Sequence, residues 1–177
     1  MKKNNRMITI ISVEYMKHTI VCMFFYINME RIGIYVGSFD PFHIGHYEVA
    51  KVALQYVDKV IIVPNNPCKS KIYRTDLHHR IQMIKLSIHN NPQILVSDES
   101  ITTLNDVLYD RYYCVGLIGN DQCHKEPKTK VHEWIIVDRV PNNTKVSWSV
   151  PTRLLPKELF YEQNGSSTNI RHKIMTN

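Results

Sequence analysis

His43-Ile44-Gly45-His46 holds two imidazoles three positions apart, with a glycine between them. They close the segment Gly37-Ser38-Phe39-Asp40-Pro41-Phe42-His43-Ile44-Gly45-His46. Residues three apart at a helix start share a face, so both rings can meet one anion. The helix start adds free N–H groups and the positive end of the dipole. Gly37 lets the chain turn sharply and lets a ligand approach the backbone. Asp40-Pro41 favours a turn. Gly45 leaves room for a base or a phosphate. The expected chemistry is phosphate binding. A metal pair would need a further ligand, and none is evident nearby.

A second segment, Gly165-Ser166-Ser167-Thr168-Asn169-Ile170-Arg171, places three hydroxyls at a helix start and a guanidinium one turn on. Hydroxyls there either cap the helix or donate to phosphate oxygens, and Arg171 can add a charge-assisted bond. A third, Gly119-Asn120-Asp121, follows an apolar run. Its carboxylate suits ribose hydroxyls, and its composition also suits a plain turn. Lys69 and Lys71 stand in a polar loop that could close over a leaving phosphate or simply face solvent.

The elements that must position these residues alternate. Arg31–Val36, Lys59–Val63, Gln93–Ser97, Tyr112–Ile118 and Trp134–Asp138 read as strands, with one more short strand within Val146–Leu155. Gly45–Asp58 is an amphipathic helix. Thr75 or Asp76 can cap another that runs to about His89, with Leu77, Ile81, Ile84, Leu86 and Ile88 as apolar positions. Thr103–Tyr109 is a short helix, and Ser166–Thr168 opens a terminal one. Such alternation predicts an α/β fold: a Rossmann-like parallel sheet with helices on both faces and right-handed crossovers. Ligands bind such sheets at the carboxyl ends of strands, where the strand order reverses. Gly37 and Gly119 both sit at strand carboxyl ends.

The 177 residues suit one domain with its own core. Apolar residues make up 44% of the chain and the net charge is +6, which favours anionic partners. No Lys/Arg stripe is interleaved with aromatics, so nucleic acid is not the expected partner. Cys22, Cys68, Cys114 and Cys123 form no C-x-x-C pair. Reduced thiols and a cytoplasmic setting are expected, with Cys114 a small core residue. The apolar stretches Ile8–Val13 and Thr19–Ile27 are too short to span a membrane, which takes about 20 residues. Residues 1–28 read as a dispensable extension, or as following an upstream start that is not used, and 29–177 as the functional domain.

These motifs together resemble the nucleotidyltransferase superfamily with the H-x-G-H motif. Gly37–His46 is similar to its G-x-F-D-P-x-H-x-G-H segment, and Ser166–Arg171 to its S-S-T-x-I-R segment. The resemblance covers about Ile32 to Ile174. Within the superfamily the chain most resembles the nicotinate or nicotinamide mononucleotide adenylyltransferases. Ile118-Gly119-Asn120-Asp121 is similar to their I-G-x-D segment. Thr103-Leu104-Asn105-Asp106-Val107 is similar to their T-x-D-T-L segment, with Asn105 where an Asp is usual and Asp106 where a Thr is usual. Pantetheine-phosphate adenylyltransferases and CTP-using cytidylyltransferases are the alternatives within the superfamily. A nucleotide-binding sensor without catalysis is the alternative outside it. Gln122–Glu133 is shorter than the family's corresponding stretch, which normally carries a tryptophan; Trp134 is read as core.

The resemblance implies AMP transfer from ATP to a small phosphorylated acceptor, with pyrophosphate released. The acceptor phosphate is already anionic, so no general base is needed. His43, His46 and Arg171 would be catalytic. Gly37, Ser38, Phe39, Gly45, Gly119, Asp121, Ser166, Ser167 and Thr168 would join them in binding ATP. Lys69 and Lys71 would form a phosphate loop, and Thr103 and Asn105 would touch the acceptor. Mg²⁺ would ride on the substrate phosphates with no dedicated protein ligands. Neither nucleic acid nor membrane is an expected partner, and the pattern leaves room for a homo-oligomer.

Overall fold

The computed structural model describes residues 28–65, 75–88, 91–123, 126–138 and 148–156. The chain divides into two units, Met1–Glu30 and Arg31–Asn177, and the fold described below is that of the second. Its strands are β1 (Arg31–Gly37), β2 (Lys59–Pro64), β3 (Ile94–Val96), β4 (Tyr113–Gly119), β5 (Glu133–Val137) and β6 (Thr152–Leu155). They form one sheet in the order β3-β2-β1-β4-β5-β6. Every neighbouring pair is parallel. The connections carry α1 (Ile44–Ala53), α2 (Leu77–Ser87) and α3 (Ile101–Leu108).

β1, β2, β4 and β5 are nearly continuous apolar runs because both faces of the sheet's centre are covered, whereas β6 at the edge is exposed except at Leu155. Tyr35, Val60, Ile62, Val115 and Leu117 share one core with Val49, Ala50 and Ala53 of α1 and Ile84 of α2. Ile32, Ile34, Val63, Cys114 and Trp134 share the other with Leu108 of α3. The expected Rossmann-like architecture is the one the chain adopts. Cys114 is fully buried and Trp134 is buried, both as core residues. Gly116 faces Trp134 across the β4–β5 ladder. A Cβ there would come within 2.3 Å of the indole, so only glycine lets that ring lie flat on β4.

Some boundaries differ from expectation for physical reasons. α1 stops at Ala53, not Asp58. Gln55 and Tyr56 donate to carbonyls three residues back, which tightens the last turn. The chain must turn there so that Lys59 can pair with Ile32. α3 begins at Ile101, earlier than expected, because the Ser100 hydroxyl accepts from the Thr103 amide at 3.2 Å. Asp76 caps α2 as anticipated, accepting from the His79 amide at 2.9 Å. Leu86, expected on the apolar face of α2, is 80% exposed; it lies on the far side of the stripe formed by Ile81, Ile84 and Ile88.

The chain leaves β1 toward β2 and later returns on its other side as β4. The loops after β1 and β4 therefore part above the sheet and leave a crevice between them. Tyr35 pairs with Leu117, so the register carried on by two residues sets Gly37 beside Gly119. The terminal helix expected from Ser166 lies outside the described residues. Among those described, no helix is long and apolar enough to cross a membrane.

Candidate active site

β1 ends at Gly37, where a Cβ would stand 2.8 Å from the Phe39 ring. Glycine is required by that close approach and not by a left-handed turn. The left-handed residue is Phe39, at φ 47°. For a bulky residue this costs on the order of 1–3 kcal/mol and persists only where packing dictates it. Phe39 is buried, with its ring 5.2 Å from Tyr35, 5.6 Å from Phe42 and 5.0 Å from His46. Its side chain thus forms the floor under the histidines. The Asp40–Pro41 bond that follows is cis.

α1 then opens at His43, its N-cap residue, whose backbone is extended. The His43 carbonyl accepts from the amides of His46 and Tyr47, at 2.9 and 3.2 Å. The His43 amide donates to Nδ1 of His46 at 3.2 Å. An amide N–H can only donate, so Nδ1 must present its lone pair and the neutral ring carries its proton on Nε2. Phe42 stacks on the His46 ring at 5.4 Å, and the His43 ring lies 3.8 Å away. His46 is only 8% exposed. The result is a rigid Nε2–H donor beside a second imidazole at a helix start. Such preorganised donors suit charge that builds on a phosphate. Gly45 makes room for the pair: a Cβ there would sit 3.1 Å from Cε1 of His43.

On the other side of the crevice, Gly119 caps a short 3₁₀ turn, Asn120–Gln122. Asn120 is buried and donates from Nδ2 to Asp138 Oδ1 at 2.5 Å, which ties the end of β4 to the end of β5. Asp121 is exposed on the turn. Burial, with the Asp121 charge added to it, raises the pKa of the nearby Cys123 thiol.

Ser38 is half-buried in the loop after β1. Thr103 is exposed, and its hydroxyl pairs with Ser100 at 2.9 Å. Asn105 faces inward from α3, and its Oδ1 has no hydrogen-bond partner among the described residues. Lys69, Lys71, Ser166, Ser167, Thr168 and Arg171 lie outside the described residues.

Arg80 was not singled out from the sequence. It sits on α2 with no exposed surface, and its guanidinium bonds backbone carbonyls from three segments. Nε donates to Thr75 O at 3.2 Å, and Nη1 donates to Ser38 O at 2.5 Å and to Asn65 O at 3.0 Å. The available signal was its spacing: Arg80 falls three after Leu77 and four before Ile84, on the apolar stripe of the helix. A cation on such a stripe must find acceptors inside the protein.

Residues 34–173 match the family model described as cytidylyltransferase-like. The chain belongs to the cytidylyltransferase-like family. The matched span includes both motifs that carry the resemblance to nucleotidyltransferases with H-x-G-H. A chain of Bordetella petrii, curated as a probable nicotinate-nucleotide adenylyltransferase, is 35% identical over 106 residues, covering 53% of this chain and 54% of its own. One from Trichormus variabilis with the same description is 29% identical over 168 residues, 83% of this chain and 78% of its own. This chain spans about half the length of the first curated relatives it matches, 54% and 53%. The solved Plasmodium falciparum nicotinic acid mononucleotide adenylyltransferase complexed with NaAD shares the fold, with TM-score 0.60 and 22% identity over 81% of this chain and 83% of that one. The same enzyme complexed with APC gives a TM-score of 0.57, with the same identity and coverage.

Proposed function

We propose that this chain is an adenylyltransferase that transfers AMP from ATP to nicotinate or nicotinamide mononucleotide, a step of NAD biosynthesis. The observation that carries this reading is the His43–His46 pair, rings 3.8 Å apart at the start of α1, where the strand order reverses. The names borne by the relatives and the NaAD seen in the Plasmodium enzyme support this acceptor.

In the proposed reaction an oxygen of the acceptor phosphate attacks the α-phosphorus of ATP. The bond from that phosphorus to the bridging oxygen breaks, and pyrophosphate leaves with the electron pair. No proton need move, so the site needs donors and not a base. His46 Nε2–H and His43 would bind the triphosphate, with His46 nearest the α-phosphate, and the helix-start amides would add to them. Ser166, Ser167, Thr168 and Arg171 would hold the outer phosphates from the far side, with Lys69 and Lys71 closing over the leaving group. Gly119 and Asp121 would meet the ribose, and Thr103 and the inward-facing Asn105 the acceptor. Among the described residues no cluster of three His, Cys, Asp or Glu could hold a metal. Mg²⁺ would be carried on phosphate oxygens and water, where it would neutralise charge on the departing pyrophosphate. The reading includes a cytoplasmic setting, in keeping with the buried, unbridged Cys114 and Cys123. Residues 1–28 have no part in it.

Pyrophosphate release with ATP or CTP, across nicotinate mononucleotide, nicotinamide mononucleotide and phosphopantetheine, tests the reading. Release with ATP and one of the two mononucleotides is expected. Release only with phosphopantetheine or CTP would reassign the acceptor or the nucleotide. The short Gln122–Glu133 stretch favours a second reading, a nucleotide sensor. ATP binding with no release under any acceptor would select it.

A further inference from the structure

We propose that Arg80 is a positioning residue that sets the distance between the backbone leaving β1 at Ser38 and the backbone leaving β2 at Asn65. Its role in turnover rests on the proposed function; its role as a clamp does not. Arg80 is fully buried, and its guanidinium donates to the backbone carbonyls of Ser38, Asn65 and Thr75. Those residues lie after β1, after β2 and just before α2. A second bond works in the same knot, since the Asn65 amide donates to Gly37 O at 2.7 Å.

The choice of arginine follows from this geometry. A guanidinium presents several donors in a fixed plane and stays charged at any relevant pH. One group can therefore bond three carbonyls that diverge from each other. An ammonium is a point charge on a flexible stem and cannot reproduce the fork. The Ser38–Phe39 peptide is planar and trans, so its carbonyl and its N–H point in opposite directions. Drawing Ser38 O toward Arg80 turns the Phe39 amide away from it. The same bond helps to hold the left-handed Phe39, the residue that floors His46. Through Asn65 the clamp also fixes the backbone where it leaves β2.

Arg80→Lys keeps the charge and loses the fork. Pyrophosphate release should fall by about tenfold to a hundredfold in kcat, as expected for misplaced reacting groups, with the KM of the mononucleotide little changed. Hydrogen exchange at the Asn65 amide should quicken by about tenfold or more while Leu117 and Ile135 amides keep their rates. Unchanged kcat and unchanged Asn65 exchange would overturn the proposal. So would a uniform quickening of all core amides, the mark of a merely structural residue. A wild-type chain that releases no pyrophosphate sinks the proposed function, while amide exchange still judges the clamp. Should the variant not fold, nitrogen-15 spectra of the wild-type protein decide. The Arg80 Nε–H must be protected from water, and rapid exchange there refutes the clamp.

Discussion

The two ends of the sheet treat polar groups in opposite ways. At the amino end, Glu133 on β5 is nearly buried and receives Arg31 Nη2 at 2.8 Å and Arg153 Nε at 3.4 Å. Arg31 also bonds Tyr56 O at 2.8 Å and lies over the Tyr113 ring. His132 is stacked between Tyr109 and Tyr113, with Nδ1 accepting from the Cys114 amide at 3.0 Å. These side chains satisfy one another. At the carboxyl end the backbone is strained at Phe39, and the internal bonds of Arg80 and the His43 amide fix the orientation of other groups. One end spends its polar atoms on holding strands together. The other end uses them to aim donors at a crevice. Substitutions at the first should therefore change stability, and at the second turnover.

The largest expected effect is at the carboxyl end. His46→Ala should lower kcat by about 10² to 10³, the usual loss of a preorganised donor, with the folded fraction unchanged by circular dichroism. Near-normal pyrophosphate release would erase the contrast. Glu133→Ala should do the reverse. Leaving Arg31 and Arg153 without their carboxylate should cost about 1.5–3 kcal/mol in urea unfolding, with kcat kept; a large loss of turnover would make the amino end part of the site. Gly45→Ala sharpens the comparison without removing a functional group. The methyl must displace the His43 ring by a few tenths of an ångström, so kcat should fall by about tenfold with little change in the urea midpoint. An unaltered rate would mean that the position of His43 does not matter.

The smallest effect is a pH dependence. Burial holds the pKa of His132 below its ordinary 6.5, outweighing the opposing pull of the Asp110 charge. The unfolded chain then binds more protons than the folded one between the depressed value and 6.5. Stability from this group is present above 6.5 and is lost as pH falls through the depressed value. His132→Asn keeps an acceptor for Cys114 and cannot titrate, so its Tm should vary less with pH than that of the wild type on the acid side of neutrality. Equal slopes would assign the acid sensitivity elsewhere.

Local order carried much of the fold and the centre of the site. Strand and helix periods, the cap at Asp76, and the glycine ends of β1 and β4 depend on neighbours in the chain, and those were legible. The H-x-G-H segment was legible for the same reason, since its histidines meet across one helical turn. Arg80 was half legible: its place on the apolar stripe of α2 was visible, but its acceptors at Ser38 and Asn65 are 42 and 15 residues away. The reason for Gly37 was also hidden. Sequence suggested a sharp turn or an approaching ligand, whereas the ring of Phe39 fills the space.

What the sequence determined by itself is the alternation of elements, the switch-point topology they imply, and the candidate residues for binding a phosphate. What only the tertiary structure decided is where α1 stops, which tautomer His46 holds, and how one buried guanidinium joins two loops. The physical reason is range. Periodicity and capping act within a few residues, while register, close ring packing and the satisfaction of a buried cation depend on groups that only folding brings together.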